Sequence, residues 1–142
     1  MADVFDAGKR SAIMSRIRSS NTLAELLVFR YLRRQGVYFQ RHYSRVPGRP
    51  DVALPRKKIA VFIDGDFWHG RDFARLCRNR NDDDYWVCKI RSNMVRDERQ
   101  RRGLEENGWT VLSVWTSDLE RKSTQQVELS RIREFLTGSS CQ

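Results

Sequence analysis

Two aspartates, Asp51 and Asp64, flank one short apolar run in this chain, and a histidine, His69, follows five residues after the second. Pro47-Gly48 and Pro50 set Asp51 at the start of a strand-like segment, residues 51–54, and Pro55-Arg56-Lys57-Lys58 reads as a tight basic turn. Residues 59–63 are continuously apolar and rich in β-branched types, the pattern of a strand buried on both faces. Such a hairpin brings Asp51 near Asp64, and Gly65 lets the chain turn sharply. Two carboxylates at neighbouring strand ends, with a histidine close by, suit a hard divalent cation and a proton acceptor. The ordinary alternative for either aspartate alone is a turn residue. Both around one strand, followed by Phe67-Trp68-His69 in a strongly basic chain, favour a nuclease.

The charge balance points the same way. Against 18 Asp and Glu stand 27 Lys and Arg, a net charge of +9, and arginine's planar fork suits phosphates. A basic surface of this size implies a polyanionic partner, DNA above all. The 142 residues, 39% hydrophobic, suffice for a single folded domain. No apolar run approaches the ~20 residues of a membrane span, and the first residues lack the apolar core of a signal peptide. Cys77, Cys88 and Cys141 form no CxxC pair. A cytoplasmic protein with free thiols is expected.

The positioning elements follow from periodicity and turn signals. Residues 1–21 form a basic arm, in which Arg16 and Arg18 accompany a short amphipathic helix able to lie on the domain or on DNA. Thr22 offers an N-cap for a helix from Leu23 to about Gln35, ended by Gly36. Glu25, three residues after the cap, completes a capping box by local pattern; the alternative is a carboxylate facing a metal site. A strand is expected over 37–43, then strands at 51–54 and 58–64. Asp82, Asp83 and Asp84 read as the N-terminus of a long helix from Asp84 to Asn107 rather than as a metal cluster. A strand over 109–115 and a helix over 124–136 complete the domain, residues 22–137, and 138–142 are a tail. The fold class is α/β: a central mixed β-sheet flanked by helices, in an element order that matches restriction-endonuclease-like nuclease cores.

Gly48-Arg49-Pro50-Asp51, Val61-Phe62-Ile63-Asp64-Gly65, Phe67-Trp68-His69, Tyr85-Trp86, Lys89-Ile90, Asn93, Arg96-Asp97 and Gly108-Trp109 resemble the very-short-patch-repair (Vsr) mismatch endonucleases. The resemblance implies a Mg²⁺-dependent enzyme that nicks one strand of double-stranded DNA at a T·G mismatch, acting as a monomer. A restriction-type or homing-type nuclease without strict mismatch specificity is the alternative, and a catalytically silent DNA-binding module the third. By the same resemblance Asp51 and the Ile63 backbone carbonyl hold the metal, and His69 is the base. Asp97 orients His69, and Glu25 holds water in the metal shell. Phe67, Trp68 and Trp86 match rings wedged into the base stack. Arg49, Lys89, Asn93 and Arg96 fall on the DNA-facing motifs, and the arm with Arg16 and Arg18 on a minor-groove grip. Two departures stand out. The family's structural zinc positions carry Asp66, Arg71, Phe73 and Ser117, so zinc is expected to be absent. The pair at 63 and 64 is Ile-Asp, which makes Asp64 a candidate second metal ligand.

Overall fold

The computed structural model describes residues 22–138. The expected arm, with Arg16 and Arg18, lies outside the described residues, as do Cys141 and all of the tail beyond Gly138. Helix α1, Leu23–Arg34, begins where Thr22 Oγ1 accepts the Glu25 N–H and ends at Gly36. Strand β1, Gln40–Arg41, is much shorter than the expected 37–43. The Val37 N–H is still spent on closing α1, through the Leu32 carbonyl. At the other end His42 turns out of the ladder with φ +45. Strands β2, Val52–Leu54, and β3, Ile59–Asp64, form the expected hairpin.

A short helix α2, Phe73–Cys77, then precedes the 22-residue α3, Tyr85–Glu106. Asp84 caps α3 by accepting the Trp86 and Val87 N–H groups, so the acidic run is a helix start. Gly108, with φ +88, closes the other end. Its own N–H and that of Trp109 return to Glu105 and Leu104, a geometry that glycine adopts without strain. Strand β4, Thr110–Trp115, helix α4, Thr116–Glu120, and helix α5, Lys122–Thr137, finish the chain. The sequence gives no signal for α2 or α4, each a single turn and a half without a periodic face.

The sheet order is β1-β2-β3-β4, antiparallel across the first two pairs and parallel between β3 and β4, so the sheet is mixed. Side chains of β3 alternate between layers. Val61 and Ile63 join Phe29, Leu32, Ile132 and Leu136 on the α1/α5 face, while Ala60 and Phe62 meet Leu104 of α3 on the other. The C-terminal end of β3 therefore lies between α1 on one side and α3 on the other, and both helices send side chains to it. Among the described residues, no helix is long and apolar enough to cross a membrane.

Candidate active site

The hairpin places Asp51 one residue before β2, beside the C-terminal end of β3, where Asp51 Oδ2 accepts the Ile63 N–H at 2.7 Å. Burial pushes this carboxyl from an ordinary 3.8 up to about 7; the Ile63 N–H and His69 oppose the shift, and the charges of Glu25 and Asp64 add to it. A cleft of about 520 Å³ opens here, lined by Asp51, Asp64, His69, Asp97, Arg96 and Arg101 among others.

Helix α3 supplies one wall by simple periodicity. Asn93, Asp97 and Arg101 are spaced four apart and share one face. Asn93 Nδ2 donates to the Trp68 carbonyl at 2.9 Å and fixes the loop after β3. Asp97 Oδ2 accepts from His69 Nδ1. Burial would raise the Asp97 carboxyl, but the His69 bond, then the charges of His69, Arg101 and Arg96, hold it below its ordinary value. Gly70, with φ +71, keeps this loop tight against α3, since a Cβ there would run into Met94 and Ile90.

Arg101 closes the stripe in a way the sequence reading missed. Its Nη1 and Nη2 donate to the two oxygens of Asp64 at 2.6 and 2.7 Å, Nη1 also reaches Ser113 Oγ, and the guanidinium lies 4.2 Å from the Phe62 ring centroid. Asp64, expected as a second metal ligand, is thus engaged as a buried counter-ion. No local pattern reveals this bidentate pair, because its members stand 37 positions apart.

The opposite wall holds a second omission. Glu25 Oε1 accepts from His42 Nε2 at 2.8 Å, and the same nitrogen lies 3.8 Å from Asp51 Oδ1. Among the described residues, Glu25, His42 and Asp51 form the group whose ligand atoms converge, all within 4.8 Å of one another. Glu25 is thus engaged through both main chain and side chain: Thr22 caps its N–H, while its carboxylate accepts from His42.

The aromatic residues divide. Phe67 is 37% exposed and Trp68 partly so, but Trp86 is only 3% exposed and packs edge-on beneath both rings, at 5.1 and 6.3 Å. Trp86 stands two residues after the Asp84 cap, in the first turn of α3, and its buried ring supports the other two. Asn93 is likewise buried on the Trp68 carbonyl, not a surface contact. Arg49 and Arg96 are exposed at the cleft, and Lys89 is half-buried on α3.

The positions of the family's zinc do not suit that metal, which takes thiolate and imidazole donors. Asp66 accepts from the Ser117 N–H at 3.1 Å, Ser117 Oγ at 2.6 Å and Thr116 Oγ1 at 3.1 Å. Arg71 donates to Asp66, to Ser117 Oγ at 2.8 Å and to Asp118. Burial opposes it, yet the Ser117 bonds, then Thr116 and Arg71, hold the Asp66 carboxyl below its ordinary value. A salt-bridged polar network ties the loop after β3 to the start of α4. Phe73 stands apart from it, beneath the Arg91 guanidinium.

One helix, a three-stranded antiparallel stretch, a crossing helix and a parallel fourth strand, with acidic groups gathered at the strand end, define a nuclease core of the restriction-endonuclease-like class. Residues 2–75 match the family described as DNA mismatch endonuclease Vsr. The chain belongs to that family and is a DNA endonuclease. It is 35% identical over 132 residues to the type II nicking enzyme V.NmeAIP of Neisseria meningitidis serogroup A, covering 93% of this chain and 94% of the relative. It is 34% identical to the type II nicking enzyme V.XorIIP of Xanthomonas oryzae pv. oryzae, over 93% and 97% of the two chains. It is 33% identical to the DNA mismatch endonuclease Vsr of Escherichia coli, over 97% and 90%.

Proposed function

We propose that the protein nicks one strand of duplex DNA at or near a T·G mismatch by Mg²⁺-assisted phosphodiester hydrolysis, with His69 as the general base. The observation that carries this reading is the pairing of His69 with Asp97 across the cleft from Asp51. Because Nδ1–H donates to the Asp97 carboxylate, the lone pair of the imidazole is on Nε2, ready to take the proton of an attacking water. Asp97 then steadies the imidazolium that forms. Arg49 and Arg96, exposed at the cleft, bring positive charge to the phosphate.

Asp51 is the metal ligand of this reading. Its Oδ2 is held by the Ile63 N–H, which leaves Oδ1 directed toward the Glu25 and His42 side. A strand residue's N–H and C=O lie along the same edge, so the Ile63 carbonyl faces Asp51 and is the backbone ligand. Glu25 holds water in the same shell. When bound, Mg²⁺ neutralises charge developing on the phosphorus oxygens and the leaving alkoxide. Phe67 and Trp68 enter the base stack over Trp86, where unstacking costs least at a mismatched pair.

Relatives named as type II nicking enzymes, together with the replaced zinc positions, favour one second reading: a nicking endonuclease of the same chemistry without strict T·G preference. Incubating the protein with Mg²⁺ and matched or T·G-mismatched duplexes, labelled on each strand in turn, separates the two. Cutting of a single strand of the mismatched duplex alone supports the first; equal nicking of both duplexes supports the second.

A further inference from the structure

We propose that His42 is a direct ligand, through Nε2, of the cation held by Asp51, and that its nitrogen widens the site from Mg²⁺ to first-row ions such as Mn²⁺ and Co²⁺. This rests on the reading of Asp51 as a metal ligand, and it adds a donor that the family resemblance does not supply.

The geometry carries it. His42 Nε2 stands 2.8 Å from Glu25 Oε1 and 3.8 Å from Asp51 Oδ1. Neighbouring ligands of an ion bound at about 2.1 Å lie roughly 3 Å apart, so one ion placed among these three atoms reaches all of them with small side-chain adjustments. The ring is held for the purpose. It packs edge-on against Phe29, with centroids 5.7 Å apart and planes at 79°. The His42 main-chain N–H donates to the Asp51 carbonyl at 3.0 Å, so the two residues cannot drift apart.

Without an ion, Nε2–H donates to Glu25. Ligation moves that proton to Nδ1, turns the Nε2 lone pair toward the ion and converts Glu25 from acceptor to co-ligand or water holder. A hard oxygen set favours Mg²⁺; one imidazole adds little for Mg²⁺ and progressively more along the series from Mn²⁺ to Co²⁺. A histidine that merely neutralises Glu25 has none of these consequences for ion choice.

The chain has two histidines, which makes the test direct. The full-length protein, unlabelled and with ¹⁵N-histidine, is loaded with one equivalent of Mn²⁺, and electron spin-echo modulation reports nitrogen bound to the ion. The expected result is an imidazole signal that changes with the label, persists in His69→Ala and disappears in His42→Gln. Glutamine keeps a donor for Glu25, so a positional role survives that substitution. Calorimetric titration of His42→Gln should show Co²⁺ affinity reduced about tenfold or more, the scale seen even for outer-shell partners, with Mg²⁺ affinity changed far less. Mn²⁺ bound without a label-sensitive nitrogen signal, or with a signal lost in His69→Ala, overturns the proposal and leaves Asp51 as ligand. Failure of the wild-type protein to bind Mn²⁺ at all overturns the Asp51 reading and this proposal together. The labelled wild-type and His69→Ala measurements decide the matter even if His42→Gln fails to fold.

Discussion

Replacing Asp51 by asparagine should make the metal-free protein more stable while abolishing nicking. The native carboxyl titrates near 7 against an ordinary 3.8, a displacement driven first by burial. At ~1.4 kcal/mol per pH unit, that displacement amounts to about 4 kcal/mol, and to about half that if water relaxes around the ionised group. The sign follows from which state keeps the proton. Between pH 3.8 and 7 the unfolded chain has released it and the native chain still binds it. The stability associated with Asp51 is therefore fully present below about 3.8 and gone above about 7. Asparagine has no proton to lose and can still accept the Ile63 N–H. The melting temperature of Asp51→Asn should pull ahead of the wild type as pH rises from 5 to 7, then run parallel above 7. For a chain of this size roughly 3–4 °C accompanies each kcal/mol, giving a plateau lead on the order of 6–15 °C.

Scanning calorimetry in chelator from pH 5 to 8.5 measures this directly. Mg²⁺ supplies the complementary arm: at 100 times its Kd it should add about 2.7 kcal/mol to the wild type and nothing to the variant. DNA binding should be largely retained, because it rests on dispersed arginines. Parallel melting curves for the two proteins across the whole pH range would refute the argument, since Asp51 would then carry no electrostatic strain.

Further outcomes can be checked alongside. His69→Ala should lose about 10²–10⁴-fold in single-turnover nicking with its fold intact by circular dichroism, the range for a general base; a loss below tenfold removes that role. Trp68→Ala should keep its melting temperature but lose the preference for mismatched over matched duplex, and unchanged discrimination would return the ring to a packing role. Arg101→Met leaves Asp64, 4% exposed, without its guanidinium and should cost about 3–5 kcal/mol in urea unfolding; a cost under 1 kcal/mol contradicts the buried pair. The purified protein should hold no stoichiometric zinc and keep its melting temperature in chelator, because Asp66, Arg71 and Ser117 already bond one another; one tightly bound zinc per chain would overturn this.

The parts of the fold legible in the sequence are those whose signals are local and periodic. The Pro-Gly-Arg-Pro turn, the β-branched run of 59–63 and the helix ends at Gly36 and Gly108 each declare themselves within a dozen residues. The expected strand over 37–43 shrank to Gln40–Arg41 because the end of α1 reaches into Val37, a demand invisible to alternation counts. The site divides in the same way. Asp51 near the end of β3 follows from the hairpin, and the facing of Asn93, Asp97 and Arg101 follows from helical period. Which partner each of these takes does not, because partners are chosen in space. His42 looks like one more basic residue at the end of a strand, and Arg101 like one of many arginines on α3. The family motif gave Trp86 a DNA-facing place; its burial beneath Phe67 and Trp68 depends on rings brought together from two distant segments.

The distribution of charge around the cleft carries the argument for where a cation goes. Three carboxylates in or beside it have a cationic or imidazole partner within hydrogen-bond reach: Glu25 with His42, Asp64 with Arg101, and Asp97 with His69. Asp51 is held by a neutral backbone N–H, and the nearest imidazole nitrogen, at 3.8 Å, lies beyond hydrogen-bond reach. Burial, with the charges of Glu25 and Asp64, also pushes its carboxyl upward. On the reading of Asp51 as the metal ligand, a divalent ion gains most there, where it offsets the repulsion from Glu25 and Asp64 that His69 only partly opposes. At Asp64 it would first have to displace a bidentate guanidinium. The Asp64–Arg101 pair thus supports the proposal that the metal sits at the Asp51 edge of β3, with His69 activating water.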